Sequence, residues 1–139
     1  MSENSKTYPL SERSPESVAT PRGLRLEEMT LDAVVEGRVT SADAAITPDT
    51  LRLQAKVAET AGRDRLARNF ERAAELANVP QDLLMSTYEL LRPGRSENSS
   101  ALRKRAEELR VKFNARLIAD FLEEAADAYD ARGLFEKRY

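Results

Sequence analysis

Beyond residue 30, apolar residues recur every three or four positions along most of the chain, and that spacing predicts helices. The clearest pair lies in residues 46–80. Thr47 suits an N-cap, and Pro48 falls at the first helical position, where a missing N–H costs nothing. Leu51, Ala55 and Ala58 then share a face, with Leu53 and Val57 beside them. Gly62 supplies a left-handed residue to end the helix. A second helix follows at once, with Leu66, Phe70, Ala73, Ala74 and Ala77 on one side, and Pro80 closes it. The pair is expected at roughly 48–61 and 63–78.

Shorter elements flank this pair. Thr30 can cap a helix over 31–36 that Gly37 stops, and Thr40 or Ser41 can cap a turn through Ala44. A helix from about Gln81 to Leu91 carries Leu84, Tyr88 and Leu91 as its apolar face, flanked by Leu83 and Leu90. Pro93-Gly94 breaks it. Ser96, Ser99 or Ser100 then opens a longer stretch in which Leu102, Ala106, Leu109, Phe113, Leu117, Phe121, Ala125 and Ala128 keep helical spacing. Ile118, Leu122 and Tyr129 add a second stripe. With no Pro or Gly before Gly133, the pattern predicts one rod on the order of 45 Å. So wide an apolar arc must touch more than one neighbour. Residues 134–139 form a short tail.

Ahead of residue 30, Pro9, Pro15 and Pro21 stand among Ser, Thr and Glu without periodicity. This reads as an extended arm, and its Tyr8, Leu10, Val18, Leu24 and Leu26 suit it to ordering along a partner chain. Deleting residues 1–29 should therefore weaken assembly and leave helix content largely intact. The expected fold is all-α: an elongated helical subunit with an arm over 1–29 and a helical domain over 30–139. Within that domain stand two central helices, a short helix and a long C-terminal helix.

Composition narrows what such a fold can do. The 139 residues make one domain at most, and much of the apolar content is alanine, which buries little area per residue. A core so thin is expected to lean on an external surface. The net charge of −2, from 22 basic and 24 acidic residues, argues against nucleic acid or anionic membrane as partner. There is no cysteine for a thiolate or disulfide, and no histidine to serve as general base or metal ligand. No apolar run has the length of a membrane span, and the opening MSENSKTYPL lacks the hydrophobic region of a signal peptide. A soluble, cytoplasmic protein is expected.

The remaining charged clusters read as surfaces. Glu123, Asp127 and Asp130, with Glu124 beside them, share a helical face that could hold a divalent ion, yet a solvated or partner-facing acidic face is the simpler reading. No metal is expected. Arg63, Arg65, Arg68 and Arg72 are interleaved with Asp64, Glu71 and Glu75 at spacings that suit ion pairs better than phosphate binding. Arg103-Lys104-Arg105 is offset by Glu107 and Glu108. Ser and Thr lack a base to activate them, and no glycine-rich phosphate loop occurs. Phe70, Tyr88, Phe113, Phe121 and Tyr129 sit at core spacings. The residues describe an interaction protein and not a catalyst.

Residues 46–80, ITPDTLRLQAKVAETAGRDRLARNFERAAELANVP, also carry a resemblance. Ile46-Thr47-Pro48, Thr50 to Gln54, Ala61 to Ala67, Asn69 to Leu76 and Val79-Pro80 are similar to the small (gamma) subunit of adenosylcobalamin-dependent diol and glycerol dehydratases. Leu91-Arg92-Pro93 and Arg95-Ser96 follow at that family's spacing. Tyr8-Pro9-Leu10, Ser14-Pro15-Glu16 and Thr30-Leu31 fit as well, so the resemblance spans nearly the whole chain, by pattern more than by residue after Ala101.

That resemblance implies a mostly helical subunit packed on the outside of a barrel-shaped large subunit, within a hetero-oligomer of large, medium and small subunits, a dimer of three-subunit units. It implies no catalytic residue, no metal and no cofactor held by this chain alone; adenosylcobalamin lies between the large and medium subunits of the holoenzyme. It places the enzyme in the cytoplasm, with enclosure in a bacterial microcompartment and the choice of 1,2-propanediol or glycerol left open. Seven residues precede Tyr8, a length nearer the glycerol dehydratases, while the central motif is nearer the diol dehydratases. Subunit contacts are expected from Tyr8, Pro9 and Leu10 on the arm and from Arg63, Asp64, Arg65, Asn69, Glu71 and Arg72 at the helix corner. The alternative is a stand-alone helical adaptor that binds a single partner.

Overall fold

The computed structural model describes residues 8–135; the first seven residues of the expected arm and the last four of the expected tail lie outside them. Described residues are helical or in turns, and the one β-type pairing is an isolated bridge between Ala19 and Arg25. The fold is all-α. Packing divides the chain into two compact units, the first ending at Ala77 and the second beginning at Asn78.

The first unit opens with short turns. Helix α1 (Leu10–Arg13) buries Leu10, a 3-10 turn follows over Pro15–Ser17, and a tight turn folds the chain back so that the Thr20 N–H donates to the Leu24 carbonyl. A second 3-10 turn covers Leu26–Glu28. Helix α2 (Leu31–Val35) starts where the Thr30 hydroxyl accepts from the Ala33 N–H, and a turn at Ser41–Ala44 follows. Arg22 joins these pieces. Its guanidinium grips the Asp43 carboxylate and also donates to the Arg38 carbonyl at 2.8 Å. Asp43 is buried, and it accepts further bonds from the Thr40 N–H and hydroxyl at 2.9 and 3.1 Å. Arg22 first, and then the Thr40 N–H, hold this carboxyl well below the usual carboxylate range.

The central pair forms as its local signals require. In α3 (Pro48–Thr60) the Thr47 hydroxyl accepts from the Thr50 N–H at 3.1 Å, and Leu51, Ala55 and Ala58 are buried. Gly62, at φ 69°, turns the chain, and the Arg63 N–H donates back to the Ala58 carbonyl. In α4 (Asp64–Leu76) Ala67 and Ala74 are the buried residues. Residues 61–63 are too few to carry the chain elsewhere, so α3 and α4 pack as an αα-hairpin. Its core is Ala55, Ala58 and Ala67 with Phe70 against them. Leu66, expected on the inner face, is exposed.

The second unit corrects three expectations. Helix α5 (Gln81–Leu91) has the expected bounds, but its buried residue is Thr87, and Tyr88 faces solvent. Thr87 can be buried because its hydroxyl donates to the Leu83 carbonyl and accepts from Arg105, which also bonds Ser86 and Leu83. The following helix is capped by Asn98, whose side chain accepts from the Ala101 N–H, and not by a serine.

The largest correction concerns the long C-terminal helix. The expected rod is two helices, α6 (Ser99–Phe113) and α7 (Arg116–Arg132). Asn114 stands between them in the left-handed region at φ 52°, and the N–H groups of Asn114 and Ala115 both donate to the Leu109 carbonyl. The helices fold back antiparallel. Arg110, near the break, bonds Asp120 and Glu123 at 3.0 Å, while Arg103, further from it, reaches Asp127 at 2.6 Å. The two-residue break also resets the helical phase. Helix α6 buries Leu102, Ala106 and Leu109 of the first stripe, whereas α7 buries Ile118, Leu122 and their neighbours Ala119 and Ala126. Leu117, assigned to the first stripe, is exposed. The apolar arc is wide because the chain folds upon itself there. Tyr129 donates its hydroxyl to the Leu91 carbonyl at 2.5 Å and ties α7 to the end of α5.

Candidate subunit interface

The α3–α4 corner presents a surface assembled from several of the expected contact residues. A groove of about 490 Å³ opens beside it, lined by Tyr8, Val57, Ala61, Arg63, Leu66 and Phe70 among others. Tyr8 and Leu66 are exposed there, and Phe70 is half-buried. The groove is thus apolar at its floor and carries one guanidinium at its rim.

Helix α4 sorts its charges around its axis. At about 100° per residue, Arg65, Arg68 and Arg72 fall within roughly 60° of one another. Asp64, Glu71 and Glu75 occupy the neighbouring arc on one side, and Asn69 leads to the groove on the other. Asp64 also stands in the first turn, where the helix dipole favours a carboxylate. Arg63, Arg65 and Arg68 are exposed, and their side chains make no hydrogen bond or ion pair among the described residues. Arg72 is half-buried and donates to the Asn69 side-chain oxygen Oδ1 at 3.4 Å.

Of the expected contact residues, Tyr8 and Arg63 come together in the groove, and Arg65, Asn69 and Arg72 border it or the stripe beside it. Glu71 lies with Asp64 on the acidic edge. Pro9 is half-buried as the residue before α1, and Leu10 is turned inward, only 4% exposed. A second exposed feature lies on the short helix that follows Thr30. Helix α2 exposes Leu31, Val34 and Val35, positions related as i, i+3 and i+4, and buries only Ala33. The apolar spacing is visible in the sequence, but nothing local says that such a face stays uncovered.

The acidic face of α7 has a definite role in the structure. Arg103 pairs with Asp127 and Asp130, and Arg110 pairs with Glu107, Asp120 and Glu123. The hydrogen bonds that Arg110 donates to these carboxylates, Glu123 first, raise its pKa above its ordinary value. Among the described residues no three His, Cys, Asp or Glu side chains are grouped to hold a metal ion. No helix among them is long and apolar enough to cross a membrane.

Residues 3–136 match the family model described as dehydratase small subunit. The chain is 47% identical over 125 residues to the propanediol dehydratase small subunit of Salmonella typhimurium (strain LT2) and, over the same length, to that of Citrobacter freundii. In each case the match covers 90% of this chain and 72% of the relative. Matched over nearly its whole length, this all-α chain belongs to the dehydratase small-subunit family.

Proposed function

We propose that this chain is the non-catalytic small subunit of an adenosylcobalamin-dependent diol or glycerol dehydratase, which converts 1,2-propanediol or glycerol to the aldehyde and water. It joins large and medium subunits in a cytoplasmic hetero-oligomer, a dimer of three-subunit units, buttresses the large subunit and stabilises the complex. The observation that carries this reading is the 47% identity to propanediol dehydratase small subunits across 90% of the chain. Two features of the molecule support it. Its side chains offer no histidine or cysteine for general-base or nucleophilic work. Among the described residues, alanines make up more than half of the buried apolar positions, while Leu31, Val35 and Tyr88 remain in solvent. A partner surface that covered such residues would supply burial the chain does not provide for itself, at about 25 cal/mol per Å².

In this reading the chain holds no cobalamin of its own, and its α7 carboxylates are engaged by Arg103 and Arg110. The cofactor supplies the radical that starts the reaction, and its binding belongs to the large and medium subunits. Reconstitution with those subunits tests the proposal, with 1,2-propanediol, glycerol and adenosylcobalamin in the assay. Aldehyde formation that requires this chain in a co-purifying complex is the expected result, and relative rates name the substrate. Activity indifferent to the chain, with no co-purification, overturns it in favour of a stand-alone adaptor.

A further inference from the structure

We infer that the outer face of α4 docks onto the partner subunits and receives a segment that sets carboxylates beside an aliphatic or aromatic side chain. The inference rests on the assembly reading above and specifies which face of the chain serves it. Two observations converge on this face. The first is electrostatic. Elsewhere the arginines are mostly occupied: Arg22 by Asp43, Arg103 by Asp127, Arg105 by Glu108 and α5, and Arg110 by three carboxylates. On α4 the side chains of Arg63, Arg65 and Arg68 find neither hydrogen bond nor ion pair among the described residues, although Glu71 stands three positions from Arg68. A guanidinium is a rigid fork matched to a carboxylate, and the two free forks of Arg65 and Arg68 on one arc, with that of Arg63 at the groove, call for an acidic counterpart.

The second observation is the groove. Arg63 belongs to its rim, and Leu66 and Phe70 line it one helical turn apart. Cationic stripe and apolar groove are therefore continuous through Asn69, which fixes the spacing of acid and apolar group on the partner. Asp64 and Glu71 also have no ion-pair partner among the described residues, and they border the stripe on its far side. They repel a carboxylate displaced toward them and so define the orientation of docking.

The test measures binding of the full chain to the purified large–medium subunit complex, between 50 and 500 mM NaCl. It compares the parent, the pair Arg65→Glu with Arg68→Glu, and Leu66→Asp in the groove. The pair Lys104→Glu with Arg116→Glu, at exposed positions of the second unit, makes the same change in net charge. The α4 reversal is expected to weaken Kd at least tenfold, chiefly through slower association, and to flatten the salt dependence. Leu66→Asp is expected to weaken Kd at least fivefold through faster dissociation, and the control pair to change it less than twofold. Far-UV circular dichroism checks helix content; if the reversal perturbs it, Arg65→Gln with Arg68→Gln replaces it, with a smaller loss expected in the same direction. If the parent binds and the α4 variants bind equally well, this inference is overturned and the assembly reading stands. If the parent does not bind, both fall.

Discussion

Replacing Asn114 separates the observed C-terminal hairpin from the uninterrupted rod that the apolar pattern suggests. Asn114 sits at φ 52° and ψ 28° and is exposed, so a substitution there changes backbone energetics and almost no packing. A residue with a Cβ and no polar side chain pays about 1–2 kcal/mol to occupy the left-handed region, while asparagine pays less and glycine nothing. Asn114→Ala should therefore destabilise the hairpin by about 1 kcal/mol. Asn114→Gly should stay within about 0.5 kcal/mol of the parent, because relief of strain is offset by the greater freedom of glycine in the unfolded chain. In an unbroken helix the order reverses: alanine gains roughly 0.5 kcal/mol over asparagine and glycine loses a few tenths. Urea denaturation of the full chain, followed by far-UV circular dichroism, measures both variants. For a chain of this size, 1 kcal/mol corresponds to a Tm shift of about 3–5 °C. An alanine variant more stable than the glycine variant would falsify the hairpin.

Three further outcomes are expected. Leu102→Ala, at a fully buried position of α6, should cost about 3–5 kcal/mol in the same denaturation assay. Tyr129→Phe removes the hydroxyl donated to the Leu91 carbonyl and should cost about 1 kcal/mol, with loss of amide-exchange protection at the end of α5. Asp43 has its folded pKa depressed, so its contribution is present above its unfolded pKa and lost as pH falls from about 4 toward the folded value. The parent should therefore lose Tm through that acid range; Asp43→Asn should start from a lower Tm at neutral pH and fall less steeply, and parallel Tm–pH curves would count against the Arg22–Asp43 clamp.

What could be read in advance was whatever is decided locally. The Thr47 cap, Pro48 at the first turn, Gly62 at φ 69°, the Thr30 cap and the stop at Gly37 each depend on a few adjacent residues, and all stand where the pattern put them. The break at Asn114 is not legible locally because asparagine tolerates the left-handed region without demanding it; what selects it is the burial gained when α7 folds onto α6. The burial of Thr87 is not legible locally because a hydroxyl enters the interior only when other groups satisfy it, and Arg105 lies 18 residues on. The candidate site divides the same way. Arg65 and Arg68 were visible as charges, but their lack of side-chain partners among the described residues depends on where the carboxylates of the fold come to rest. Leu10, grouped with Tyr8 by sequence, turned out to be an internal residue.

The hairpin at Asn114 bears on how the chain comes off the ribosome. A continuous rod would display its apolar stripes along its whole length until a partner arrived, and would be a target for aggregation while it waited. A chain folded back after two residues closes its core with itself: Arg103 meets Asp127 across 24 positions, and Leu109 and Ile118 are both buried on either side of the break. Contacts of such short sequence separation form among the fastest in folding, on the microsecond-to-millisecond scale of helical bundles. The helical hairpins can thus be complete soon after their residues are synthesised, in advance of any encounter with another polypeptide.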